Sequence, residues 1–124
     1  MAGFEPETGL IYVVGVDGWP YVKIGFTKGA FAARLAVIQT GCPLHIVPWL
    51  VWKDRTKRDE MQLHKAFSPW HLQGEWYHDC EAIRLFCRSL MRHDLDSVVA
   101  FTKIVWGKEA VYQAERGGSR FEAE

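Results

Sequence analysis

Apolar and polar positions alternate early in the chain and then change period. Residues 10–14 (Leu-Ile-Tyr-Val-Val) have strand propensity, and residues 21–26 (Tyr-Val-Lys-Ile-Gly-Phe) follow as a second strand with period two. Between them Gly15-Val-Asp-Gly-Trp-Pro20 is turn chemistry with Asp-Gly at its centre, so a β-hairpin is expected. On its second strand Val22, Ile24 and Phe26 share one face; Tyr21, Lys23 and Gly25 share the other. A glycine inside a strand marks a bulge or a close approach by another group.

The period then lengthens. Residues 29–39 predict a helix whose stripe is Phe31, Leu35 and Ile38, with Arg34 beside it. Gly41 and Pro43 stop it. Residues 45–53 predict a third strand, and Pro48 within it signals an edge or a bulge. Asp54 or Thr56 can cap a helix over roughly 56–67, with Leu63 and Phe67 on its buried side. Glu60 and His64 flank that side, four residues apart and so on one face. Residues 68–74 predict a loop and 75–78 a short strand. From about Asp79 a helix carries the clearest amphipathic stripe, Ile83, Phe86, Cys87, Leu90 and Met91. Residues 95–115 are apolar with a blurred period and are expected to be helical.

This order gives an α/β fold: a small sandwich with a central three-stranded mixed sheet, the N-terminal hairpin plus the third strand, flanked by helices. The expected organisation is an N-terminal extension (1–8), one domain (9–92), a C-terminal element packing on it (93–116) and a flexible tail (117–124).

Composition narrows the function classes. A chain of 124 residues fits one domain, and six tryptophans argue against disorder. No apolar run approaches the roughly 20 residues of a membrane span. The start, Met-Ala-Gly-Phe-Glu-Pro-Glu-Thr, lacks a secretory apolar region, so a cytosolic (cytoplasmic) location is expected. Formal net charge is zero, but unevenly laid out. Residues 1–58 hold seven Lys/Arg against four Asp/Glu, or +3; residues 59–124 hold eight against eleven, or −3. A local basic surface and an ordinary mixed surface both fit that layout. Cys42, Cys80 and Cys87 form no paired framework and read as reduced core thiols.

The candidate chemistry lies in Tyr12, Lys23, Glu60 and His64. A phenol, an ammonium, a carboxylate and an imidazole brought together could hold a metal ion and a phosphate. Each also has an ordinary reading. Tyr12 can be a half-buried strand residue, Arg34 can cover apolar surface with its stem, and Glu60 can pair with Lys57 or His64. Glu75 reads as a hydrogen-bond hub for its loop or as a group behind a metal ligand, with structure favoured. His64, His71, His78 and Cys80 could ligate zinc, but no tight pair is present.

Leu10-Ile-Tyr12 followed by Lys23-Ile-Gly25 resembles the paired tripeptides of the GIY-YIG nuclease superfamily. Arg34 follows, then Gln39-Thr-Gly-Cys-Pro43, Glu60-x-x-Leu-His64-x-x-Phe67 and Gly74-Glu-Trp-Tyr77. The run, about residues 9–78, is similar to the phage and bacterial branch in which the second tripeptide begins with lysine. The resemblance implies a metal-dependent endonuclease that hydrolyses DNA phosphodiester bonds with one divalent ion, Mg²⁺ or Mn²⁺. Glu60 would hold the metal, Tyr12 would position or deprotonate the attacking water, and Arg34 would bind the scissile phosphate. Leucine stands where the first tripeptide usually has glycine, and Lys23 where the superfamily has tyrosine. The general base stays open among Tyr12, Lys23 and His64.

The expected partner is DNA, with no membrane, and the expected state a monomer or weak homodimer, from a phage or mobile element. Two competing classes remain: a catalytically inactive module of this type that binds nucleic acid or protein, and an interaction domain using its tryptophans.

Overall fold

The computed structural model describes residues 7–101. Expectations for residues 1–6 and 102–124, including the tail at 117–124, lie outside the described residues. Six strands and three helices follow in order: β1 Thr8–Val16, β2 Trp19–Thr27, α1 Phe31–Thr40, β3 Ile46–Thr56, α2 Lys57–Ala66, β4 His71–Gln73, β5 Trp76–His78, α3 Glu81–His93 and β6 Val98–Ala100. Single 3-10 turns cover Ser68–Trp70 and Leu95–Ser97.

The α/β class holds. The sheet is larger than the three strands expected and antiparallel rather than mixed, with order β4-β5-β2-β1-β3-β6. Two segments account for the difference. The expected loop at 68–74 contains β4, which folds back on β5. The expected helix over 95–115 is, as far as residue 101, a 3-10 turn and then β6 on β3.

The first hairpin turns on Asp17-Gly18, and Gly18 takes φ +80°, which favours glycine. Its strands pair from Leu10–Thr27 to Val16–Trp19. β3 pairs along the other side of β1 with a register shift where Val13 and Val14 face Leu50 and Pro48. The bulge that Pro48 signals is therefore present.

The sheet separates two apolar layers. On one face Ile11, Val13, Val22, Ile24 and Leu50 pack with Phe67 and the α3 residues Ile83, Cys87 and Leu90. Burying each large side chain of this layer contributes about 1.5–3 kcal/mol. On the other face Tyr12, Val14 and Val51 lie under Phe31, Leu35 and Ile38 of α1. α1 has no fully buried residue and stays peripheral. The Gln39 amide anchors its end, donating to Leu44 O at 2.8 Å and accepting from Ile46 N at 2.8 Å.

α2 starts at a capping box. Thr56 accepts from Asp59 N, and the Asp59 carboxylate accepts from Thr56 N at 2.8 Å. The helix then lies along the edge of β2. β5 pairs with β2 only over Tyr21–Lys23, and Ile24 N donates onward to Glu75 O at 3.0 Å. Beyond that, Ile24 O receives His64 Nε2 of α2 at 2.9 Å. No helix among the described residues is long and apolar enough to cross a membrane.

Because the Thr56 hydroxyl caps Asp59 N, Thr56→Ala, which keeps the backbone half of the box, is expected to cost about 1 kcal/mol of stability. Urea unfolding followed by circular dichroism checks this. An unchanged midpoint would mean that α2 is anchored by other contacts.

Candidate functional site

Where β5 stops and α2 takes over, the edge of β2 gathers polar side chains from four parts of the chain. Lys23 comes from β2, Tyr12 from β1 beside it, Glu60 and His64 from α2, and Glu75 from the turn between β4 and β5. Gly25 makes the gathering possible. It sits opposite Tyr12 in the ladder, and a Cβ there would overlap the Tyr12 ring and hydroxyl and stand 2.8 Å from Glu75 Oε1. The glycine thus marks a close approach, by the Tyr12 phenol.

Glu60 is fully buried although it lies on the first turn of an exposed-faced helix. Lys57 Nζ stands 2.6 Å from Oε1 and His64 Nε2 3.3 Å from Oε2. Yet neither oxygen has a hydrogen bond of good geometry. Burial pushes the Glu60 carboxyl up from its ordinary range. Lys57 opposes the shift, and hydrogen bonding and charge from Glu75 add to it. For Glu75, burial also pushes upward, but Lys23, Glu60 and Lys57 together outweigh it and hold that carboxyl below its ordinary value. Lys23 Nζ lies 3.0 Å from Glu75 Oε1 and 5.5 Å from the centre of the Trp76 ring. A buried and a half-buried carboxyl side by side thus divide their charge unequally, with Glu60 the more readily protonated.

Tyr12 is the meeting point. Burial, then the charge of Glu75, raises its phenol to about 12; Arg34 pulls the other way and Glu60 adds a smaller upward push. At neutral pH the phenol is protonated and serves as a hydrogen-bond donor. Arg34 reaches this neighbourhood from exposed α1, whose Phe31 ring packs 5.9 Å from that of Tyr12. Its guanidinium has no ion pair or hydrogen bond among the described residues and stays available for an anion. His64 is committed differently. A carbonyl can only accept, so Nε2 donates its proton to Ile24 O, and only Nδ1 is left for proton transfer.

Tyr12, Lys23, Glu60 and His64, singled out in the sequence, therefore meet at the β2 edge, and the charge of exposed Arg34 reaches Tyr12. Three further members were not singled out. The sequence leaves Glu75 between a loop hub and a group behind a metal ligand, offers Lys57 only as a partner for Glu60, and assigns Tyr77 no role. Tyr77 is buried, but its phenol also feels the pair: burial, then Glu60 and Glu75, raise it to about 12. The Gly74-Glu75-Trp76 string was the available signal for Glu75.

The donor set can be tested against a divalent cation. Among the described residues no group of three His, Cys, Asp or Glu is arranged around one point. Mg²⁺ does not need such a cage, since it keeps most of its waters and takes one or two carboxylates. The buried oxygens of Glu60, poorly aligned with Lys57 and His64, together with the Glu75 carboxylate beside them, fit that mode once Lys57 gives way. No family model, curated protein or solved structure matches the chain.

A buried carboxyl without good donors costs stability, so Glu60→Gln is expected to stabilise the fold by about 1 kcal/mol at pH 7 in chelator. A raised carboxyl pKa penalises the folded state above that pKa and not below the unfolded value near 4.5. The advantage of Gln should therefore shrink as pH falls toward 4.5. Urea titrations at several pH values check both points. A destabilised variant would mean that the carboxylate contributes to the fold.

Proposed function

We propose that the chain is a metal-dependent endonuclease that hydrolyses DNA phosphodiester bonds at the site around Glu60. The observation that carries this reading is a buried carboxylate whose only close donors, Lys57 and His64, are poorly aligned, set beside a second carboxylate, a neutral phenol and a guanidinium with no ion pair among the described residues. The ordered resemblance to the GIY-YIG superfamily supports the same reading, and Mg²⁺ or Mn²⁺ is the ion it implies. On this reading the enzyme is a cytosolic monomer or weak dimer.

Roles follow from the chemistry of each side chain. Glu60, with Glu75 beside it, would hold the ion. When bound, the ion would lower the pKa of a water and stabilise charge on phosphoryl oxygens. Arg34 grips two oxygens of the scissile phosphate. Lys23, paired with Glu75, donates to a phosphate oxygen rather than accepting a proton. Tyr12 keeps its proton and orients water or phosphate by donation. His64 holds α2 against β2, so its imidazole positions Glu60 first.

A second reading has one observation in its favour. Lys57 and Lys23 already neutralise the two carboxylates, at 2.6 and 3.0 Å. A charge-balanced pocket of this kind could serve an inactive module that binds nucleic acid or protein.

Cleavage of labelled DNA with Mg²⁺ or Mn²⁺ separates the two. Removing one preorganised charge at a phosphoryl centre costs about 10²–10³-fold in rate. Glu60→Ala and Arg34→Ala should each lose at least about 10²-fold while remaining folded. Undiminished cleavage in both would overturn the site assignment, and no cleavage by the unaltered chain would favour the inactive module.

A further inference from the structure

The face of β2 that carries Lys23 and Gly25 continues away from the carboxylates toward the hairpin tip. Its next two side chains in that direction are Tyr21 and Trp19. Their rings stack nearly parallel, 6° apart, with centres 6.3 Å from each other. Trp19 is 52% exposed, the most exposed aromatic ring among the described residues. Beside Lys23, on β5, lies Trp76, its ring under the ammonium. Tyr21 and Trp76 both reach the margin of the α1-side layer, partly buried, while α1 itself covers the β1–β3 side. The half of this face along β2 thus runs from Trp19 through Tyr21 to Lys23 and Trp76, and ends at Tyr12 and Glu75. Four residues of strand separate Trp19 from Lys23, or about 13 Å.

We infer that this strip is a stacking track for unpaired nucleobases, and that the nucleic acid the site acts on is single-stranded. The inference rests on the nuclease reading for where the strand ends, and it adds the class of substrate. Rings recognise bases by their faces, and a base must leave its duplex stack to offer a face. The charge balance points the same way. Duplex binding without sequence reading depends on many Lys and Arg contacts to phosphates. This chain has a formal net charge of zero, and Asp17 lies in the turn next to Trp19. Of the cations near the carboxylates, Lys23 and Lys57 are already paired with Glu75 and Glu60, and Arg34 acts on the neighbouring Tyr12. Stacking is then the larger source of affinity, and binding should depend weakly on salt.

The test uses a labelled oligothymidylate of roughly 16 nucleotides and a blunt duplex of the same length, with the full chain in chelator so that binding is read without cleavage. Polarisation gives the affinity, and tryptophan fluorescence reports the stack. Trp19 is exposed, so Trp19→Ala should fold normally, and Trp19→Phe keeps a ring. Expected are tighter binding of the single strand than of the duplex, quenched fluorescence, at least about fivefold weaker single-strand binding in Trp19→Ala, and recovery in Trp19→Phe. Equal affinity for single strand and duplex, or single-strand binding indifferent to Trp19→Ala, would overturn the track. The same oligonucleotides with Mn²⁺ keep the two ideas apart. Trp19-dependent binding without cleavage by the unaltered chain removes the hydrolytic reading and leaves the track standing. Cleavage of duplex and single strand at equal rates, unchanged in Trp19→Ala, leaves the hydrolytic reading and removes the track.

Discussion

One hydrogen bond decides how this site is built: the imidazole of His64 donating to the backbone carbonyl of Ile24. A strand in mid-sheet would give that carbonyl to another strand. Here β5 ends at Lys23, and a helix side chain takes the next position. The exchange brings a helix face, with its four-residue spacing, against a ladder with two-residue spacing. Glu60 and His64 on one side then meet Lys23 and Gly25 on the other. Without the exchange, Glu60 would be one more solvated glutamate.

The cost of the arrangement is local. Glu60 gives up water for a pocket where its oxygens find no well-aligned donor, and Glu75 is pressed close enough to share the consequences. The fold absorbs this because most of both apolar layers lies away from the pocket, only Tyr12 on one side and Tyr77 on the other belonging to both layer and pocket. Val22 and Ile24 face the α2–α3 layer, while Lys23 and Gly25 between them face the site. A strand can therefore hold a core and carry polar chemistry at alternate residues without either disturbing the other.

Much of this was legible in the chain because it is local. Asp17-Gly18 specifies its own turn, Thr56 and Asp59 specify their own helix start, and Pro48 announces a bulge. Gly25 was read as the sign of a close approach, although the identity of the approaching group was not. The two outer strands were hidden. Every residue of β4 is exposed, so its sequence shows no alternation, and its pairing depends on a turn at Gly74, which has φ +58°. β6 is a short apolar run that periodicity cannot assign, and it becomes a strand by meeting Leu50 to Trp52, far away in the sequence. Glu75 shared that fate in part. The alternative that it stands behind a metal ligand was open in the sequence, but the β4–β5 turn that places it there was not.

The two outer strands have a further effect, on how copies of the chain behave when crowded. Each is three residues long, and a foreign strand needs a longer run of open N–H and C=O groups to dock. Where β3 extends past β6, Pro48 lacks an N–H and the bulge breaks the straight row, while Phe101 N occupies Trp49 O at 2.8 Å. An open sheet edge with a long row of unpaired N–H and C=O groups can template pairing with another chain. In this one, the short outer strands and the interrupted stretch of β3 around Pro48 give a neighbouring molecule little purchase there.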